Sequence, residues 1–266
     1  MVESWSKITE PAIPSKNEIQ FIREYISNNY LAQHEFKVLI LGSTPRLRDL
    51  LSEFVNCKVF LCDINPEMTF AMTELLEKAN PENETWVKTS WLDMPFKDQN
   101  FDLILGDITI DNVPFELHNQ YIDEVRRVLK DTGTYLGRFI FFRDHHDVID
   151  FEKTLESYGE LTPAKLSPLW SIGTFFRTPA QTKEVMVADF VKFIEETKSN
   201  FIKQTTLITG IEEYYPFNKS WYTYHIDDFE QLIQDKFRIE NKFVADDNNM
   251  IPGYEVFLEI LELKKV

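Results

Sequence analysis

The stretch FKVLILGSTPRLRDLLSEFVNCKVFLCD, residues 36–63, decides the fold. Its centre, VLIL, is a continuous apolar run of the kind found in strands covered on both faces, and the spacing predicts a strand over about 37–41. Gly42 supplies a turn, Thr44 suits a helix N-cap and Pro45 suits the first helical position, so a helix starts at once. A second strand over about 58–62 stops at Asp63, 21 positions after Gly42. One β-turn-α-β unit of a doubly wound sheet is implied, with a carboxylate at the second strand end, where a ribose diol can be held.

Outward from this unit, residues 1–15 read as an irregular arm, and Ser15 can cap a helix over about 16–33 carrying Ile19, Ile22, Ile26 and Tyr30 at helical spacing. Pro66 opens a helix to about Ala79, Thr85–Thr89 reads as a third strand and FDLILGD (101–107) as a fourth. Leu117, Tyr121, Ile122, Val125, Val128 and Leu129 form one helical stripe, which Lys130, Asp131 and Gly133 are expected to end before a fifth strand over 134–142. Beyond it the pattern changes to helical segments near 147–158, 181–203 and 226–236, separated by aromatic loops with Trp170, Phe217, Trp221 and Tyr224. Two apolar stretches, 237–245 and 254–263, flank DDNNMIPG and read as an antiparallel hairpin. The expected fold is α/β: a doubly wound, mostly parallel seven-stranded sheet with a C-terminal antiparallel hairpin and a helical, aromatic insertion after strand 5. The domain reading is 1–35 as an N-terminal arm and covering helix with Tyr25 and Tyr30, 36–143 with 226–266 as the core, and 144–225 as an inserted lid region.

Composition narrows the function. The 28 basic and 44 acidic residues give a net charge of −16, a surface that repels phosphate backbones and anionic membranes, so neither nucleic acid nor membrane is an expected partner. Two cysteines, Cys57 and Cys62, lie at odd spacing on one strand and point to opposite faces, which fits reduced thiols in a cytoplasmic protein. No run of about 18 apolar residues occurs. Oligomeric state is not legible in the sequence.

Four pieces, in order, resemble the class I S-adenosylmethionine-dependent methyltransferases: VLILGSTP as a first motif, VFLCDINPEM as the acidic second-strand end, SWLDMPFKDQNFDLILGD as an adenine-side loop and fourth strand, and EVRRVLKDTGTYLG as the helix, turn and fifth strand. The first motif departs from the family in having Gly42 alone, followed by Ser43, Thr44, Pro45 and Arg46. A dinucleotide's pyrophosphate needs successive glycines, and Pro45 removes an amide donor, so NAD and FAD are disfavoured. A cofactor without phosphate tolerates the tighter turn.

The resemblance implies S-adenosyl-L-methionine as cofactor and a Rossmann-like fold. Gly42 would let the backbone pass close, and Ser43 and Thr44 would face the amino-acid end, although Thr44 can equally serve as a cap. Asp63 would hold the ribose, Ile64 and Met68 would flank adenine, and Asp93 with Leu92 would meet its edge. Gly106 and Asp107, ending the fourth strand, would face the cofactor's ammonium, although Gly-Asp is also an ordinary turn. Arg138, inside an apolar strand, needs a partner: a structural carboxylate or a substrate group. His145 and His146 are candidates for a general base, but adjacent histidines diverge and no metal is expected. His118 and His225 are weaker candidates. The reading is methyl transfer to a small-molecule acceptor by in-line displacement in a lidded pocket; a non-catalytic methyltransferase-like scaffold and a protein methyltransferase stand as alternatives.

Overall fold

The computed structural model describes Ser6, Glu10 and residues 13–142, 184–186, 220–246 and 258–266. Along the chain run α1 (Lys16–Tyr30), β1 (Phe36–Leu41), α2 (Pro45–Leu51), β2 (Cys57–Asp63), α3 (Pro66–Thr73), β3 (Glu84–Lys88), β4 (Phe101–Asp107), α4 (His118–Val128) and β5 (Leu129–Phe142). There follow β6 (Glu184–Met186), β7 (Ser220–Tyr222), β8 (Tyr224–His225), α5 (Ile226–Ile233), β9 (Phe237–Phe243) and β10 (Leu258–Lys265). The main sheet has the order β3-β2-β1-β4-β5-β10-β9. Strands β1 to β5 pair in parallel, and β10 enters antiparallel between β5 and β9. The expected seven-strand path is present. Strand order reverses at β1/β4, the topological switch point, and ligands of such sheets bind outside the carboxyl ends of the strands there.

The period of two in β1 sorts its side chains onto two cores. Val38 and Ile40 pack with Ile22, Ile26 and Tyr30 of α1 and with Leu47, Leu50 and Leu51 of α2. Leu39 and Leu41 pack on the other face with Tyr121, Ile122, Val125 and Val128 of α4 and with Phe229 and Ile233 of α5. Burial on both faces is why the strand reads as an unbroken apolar run. Cys62 lies in the α4/α5 core and Cys57 packs against the other; both are free, and burial pushes the Cys57 thiol up to about 12.

Helix α1 opens with a reciprocal capping box: the Glu18 amide donates to Ser15 Oγ at 3.1 Å and the Ser15 amide to Glu18 Oε2 at 2.6 Å. Helix α2 is joined to β3 by a buried ion pair. Arg48 Nε and Nη2 donate to Glu84 at 3.0 and 2.7 Å, Trp86 Nε1 donates to the same carboxylate at 2.8 Å, and the guanidinium lies over the Trp86 ring.

Three boundaries differ from the sequence expectation. Helix α3 ends at Thr73 rather than near Ala79, because Asp49 of α2 captures the chain: its carboxylate accepts from the amides of Glu77, Lys78 and Ala79 at 2.8 to 3.2 Å. Helix α4 ends at Val128 without the glycine stop, and Leu129 is already extended. The residues between form an irregularity in β5, whose pairing with β4 shifts register between Phe101 and Leu103. Gly133 there allows a close approach: a Cβ would lie 2.7 Å from Leu129 Cδ1 and 3.0 Å from the Asp102 carbonyl oxygen. Finally, the short strands were not anticipated: β6 and β7 pair antiparallel, and β8 adds in parallel to the end of β5. Among the described residues no helix is long and apolar enough to cross a membrane.

Candidate functional site

The carboxyl ends of β1, β2, β4 and β5 form one rim. At the first turn Gly42 has φ +99°, a backbone state that glycine reaches without strain, and its amide donates to the Cys62 carbonyl at 2.8 Å. Asp63 stands beside it. Its Oδ1 accepts from the Asn65 amide at 2.8 Å, while Oδ2 lies 3.9 Å from where a Gly42 Cβ would be. One carboxylate oxygen is thus spent on the backbone and the other is turned toward the glycine. Burial pushes the Asp63 pKa up, and the Asn65 and Ile64 amides pull it back.

Apolar surface adjoins this carboxylate. Ile64 is 69% exposed, a high value for an isoleucine, and Met68 is half-buried in the first turn of α3, its amide donating to Asn65 Oδ1 at 3.1 Å. Trp91 completes the wall: its ring edge is 3.8 Å from a Gly42 Cβ position, and Nε1 donates to the Cys62 carbonyl at 2.8 Å. The next residues are fixed by their backbone. Leu92 donates its amide to Ser90 Oγ at 3.2 Å and accepts from Gln120 Nε2 at 3.1 Å; the Asp93 carbonyl accepts from Thr89 Oγ1 at 2.9 Å, leaving the Asp93 side chain exposed.

Ser43 is buried, and Thr44, at the N-cap position of α2, does not cap with its side chain. Its hydroxyl instead donates to Asp107 Oδ2 at 3.0 Å. Arg138, level with Asp107 in β5, donates from Nη1 to Asp107 Oδ1 at 3.1 Å and from Nε to Glu18 Oε1 at 2.8 Å. Its described partners are thus structural carboxylates. Burial pushes the Asp107 pKa up, against the pull of Arg138 and Thr44. Gly106 has a packing reason to be glycine. A Cβ would stand 2.6 Å from the Tyr135 hydroxyl and 2.8 Å from Thr109 Oγ1, inside the hydroxyl cluster formed by Thr109, Tyr121 and Tyr135.

Past Asp107 the backbone is strained: Ile108, β-branched, has φ +51°. The kink leads into a short 3-10 turn, Ile110–Asn112, that carries Asp111. Asp111 is 1% exposed, its Oδ1 meets Thr223 Oγ1 at 3.4 Å, and its Oδ2 is buried with no hydrogen-bond partner among the described residues. Burial pushes its pKa up to about 8. The sequence reading did not single out Asp111, although an acid inside the mostly apolar ITIDNVPF was a visible signal. Glu18 was also missed; the S-x-x-E spacing from Ser15 pointed to its capping role but not to Arg138.

Two expectations fall elsewhere. Tyr25 and Tyr30 do not reach the rim: α1 runs down the sheet, so Tyr25 bonds Thr134 and Glu262 at 2.7 and 2.9 Å and Tyr30 donates to the Asp102 carbonyl at 3.0 Å, at the opposite end. His118 is buried with Nε2 bonded to the Val113 carbonyl, so that nitrogen carries the proton, Nδ1 accepts from the Tyr224 hydroxyl at 2.6 Å, and the ring is a neutral tie between α4 and β8. His145, His146 and most of 144–225 lie outside the described residues. Among the described residues no group of His, Cys, Asp and Glu could hold a metal ion.

The parallel sheet with its switch point at β1/β4 makes this a Rossmann-like fold, with a lone positive-φ glycine and a strand-end carboxylate at its rim. Residues 38–133 match the family described as a methyltransferase domain. Over those residues the chain is similar to methyltransferase domains, a likeness that supports S-adenosyl-L-methionine as the cofactor. No curated protein matches the sequence. Among solved structures, a putative zinc-dependent alcohol dehydrogenase from Rhodobacter sphaeroides is 15% identical with a TM-score of 0.60, covering 100% of this chain and 98% of its own. The PH0226 protein from Pyrococcus horikoshii is 15% identical with a TM-score of 0.56, covering 94% of this chain and 91% of its own. A SAM-dependent methyltransferase from Methanosarcina mazei is 17% identical with a TM-score of 0.53, covering 90% of this chain and 96% of its own. At these identities the likeness is one of fold.

Proposed function

We propose that this protein transfers a methyl group from S-adenosyl-L-methionine to a small-molecule acceptor. The observation that carries the reading is Asp63, held by one oxygen on the Asn65 amide with the other turned to the Gly42 turn. A half-buried carboxylate with unspent acceptor capacity is open to ligand hydroxyls, and a ribose diol brings two. Ile64 and Met68 offer the adjoining apolar surface for adenine, with Leu92 and Asp93 next along the wall. The turn Gly42–Thr44 and Asp107 with Gly106 take the amino-acid end, where a carboxylate suits an ammonium.

The bound cofactor supplies an electrophilic methyl on a sulfonium, a good leaving group. The protein's part is to align the acceptor with that methyl; such positioning is worth up to ~7–11 kcal/mol. Where the acceptor atom carries a proton, Asp111 is the rim group suited to receive it on Oδ2 once ionised, toward its value of about 8 and above: it is buried, has no partner on that oxygen among the described residues, and is more basic than an ordinary carboxylate. The acceptor side is assigned to the segment 144–225; Thr223 on Asp111 and Tyr222 against Phe115 are the described contacts that support this. The charge of −16 argues for a small molecule over a nucleic acid. Isothermal titration with S-adenosylhomocysteine tests the reading, and a folded sample that does not bind it sinks the proposal.

A further inference from the structure

The mechanism leaves Glu18 and Arg138 unused, and they form a buried connection between the start of α1 and the cofactor rim. Glu18 spends Oε2 on the Ser15 amide and Oε1 on Arg138 Nε, 120 residues away in sequence. Arg138 Nη1 then holds Asp107 Oδ1, and Asp107 Oδ2 takes the hydroxyl of Thr44, two residues beyond Gly42. The Glu18 and Arg138 side chains are 1% and 3% exposed, so water does not screen the chain of contacts. A second tie runs alongside: Arg46, in the first turn of α2, donates to the Glu10 carboxylate and the Pro14 carbonyl just ahead of α1.

We propose that Glu18 and Arg138 are positioning residues through which the docking of α1 and the binding of the cofactor's amino-acid end reinforce each other. The inference rests on the function proposed above. Among the described residues, Glu18 and Asp107 share the Arg138 guanidinium at a desolvated place, and with both acids ionised a cation beside Asp107 relieves the excess negative charge. Burial is what chiefly pushes the Asp107 pKa up, with the Glu18 charge adding to it. The cofactor brings an ammonium to that end. Its arrival fixes Asp107 and so favours the arrangement in which Arg138 also grips Glu18. By linkage, whatever α1 docking adds to cofactor affinity, the cofactor adds to α1 docking by the same factor.

The test uses S-adenosylhomocysteine, which keeps the ammonium, with two readouts on the full chain: titration calorimetry, and hydrogen exchange of residues 16–30 with and without ligand. Wild type is expected to bind and to show slower exchange in α1 when saturated. Glu18→Gln keeps an acceptor for the Ser15 amide and removes the charge; it is expected to lose ~10-fold in affinity and to lose the ligand-induced slowing. Arg138→Lys keeps the charge without the fork that spans both acids, and is expected to behave alike should Glu18→Gln fail to fold. Loss of thermal stability with affinity within twofold of wild type would make the contacts merely structural and overturn the inference, as would wild-type binding with no change of exchange in α1. Absence of binding by wild type would instead take down the proposed function itself.

Discussion

Carboxylates stand at both ends of the parallel strands, and the two sets are treated differently. At the amino ends, Glu84 receives both arms of Arg48 and the Trp86 indole, and Asp102 receives the Lys37 amide at 2.9 Å and Lys130 Nζ at 2.6 Å. At the carboxyl ends, the Asn65 amide reaches Asp63 Oδ1, Asp111 has one long contact and an oxygen orphaned among the described residues, and Ile108, between β4 and Asp111, sits in the left-handed region. The amino end spends its carboxylates on the fold, although Arg48 Nη1 is buried without a hydrogen-bond partner among the described residues. At the carboxyl end Asp107 spends both oxygens on Arg138 and Thr44, while Asp63 and Asp111 keep bonding capacity in reserve and Ile108 accepts strain, which suits the proposed site.

The hardest break is at the amino end. Glu84→Ala leaves Arg48 buried without its counter-charge, and about 3–5 kcal/mol of stability is expected to go, read as a lower denaturant midpoint. Affinity for S-adenosylhomocysteine should stay within about twofold for molecules that remain folded. An affinity loss matching the stability loss would erase the division between the ends.

Asp111→Asn tests the other end. An acid whose folded pKa is raised keeps its proton in the native state after the unfolded chain has released its own, so the unfolded state binds fewer protons and stability falls as pH rises. With a folded value of about 8 against 3.8, the fall runs between those two values and levels off above the upper one. Its ceiling is several kcal/mol at ~1.4 kcal/mol per pH unit, reduced by whatever local relaxation admits water. Asparagine stays neutral, so the variant should melt higher than wild type near pH 8 and lose that advantage toward pH 4. Parallel stability–pH curves for the two proteins would show that Asp111 carries no such cost.

Asp63→Ala comes next: roughly 100-fold weaker binding of S-adenosylhomocysteine, from two lost hydrogen bonds to a charged group, with melting temperature unchanged or slightly higher. A variant that binds normally would move the ribose elsewhere on the rim.

These contrasts also mark how far the sequence can be read. The β1 run, Gly42 and Asp63 lie within one 28-residue unit, so spacing alone brings glycine and carboxylate together, and VLILGSTP and VFLCDINPEM carried the family likeness for the same reason. The antiparallel pair at the C-terminus was legible from two apolar stretches around a polar turn. What escaped is long-range or conformational. Arg138 announced a need for a partner, but nothing local says that Glu18 meets it across 120 residues. Asp49 cutting α3 short, and the register shift that turns an expected helix stop into part of β5, depend on neighbours that only the folded sheet supplies. The left-handed state of Ile108 contradicts its intrinsic preference, so no propensity argument could have found it.

The smallest expected effect guards against reading every displaced pKa as a site. Glu53, bonded by Arg23 at 2.8 Å and by Lys78 at 3.0 Å, has its carboxyl held down to about 2, chiefly by the Arg23 hydrogen bond. The sign is opposite to that of Asp111: stability from this group is present above the usual carboxylate value and is lost as pH falls toward the folded one. Its side chain is 30% exposed, with Arg23 at 32%, so water and salt screen the pair and two long side chains must be ordered to form it. Glu53→Gln is therefore expected to cost under ~1 kcal/mol at neutral pH, to shrink further in high salt, and to leave cofactor affinity alone. A salt-independent loss larger than that would place this cluster with Glu84 among the buried anchors of the fold. A carboxylate oxygen left without a partner, rather than displacement of a pKa as such, is what separates Asp111 from Glu84 and Asp102.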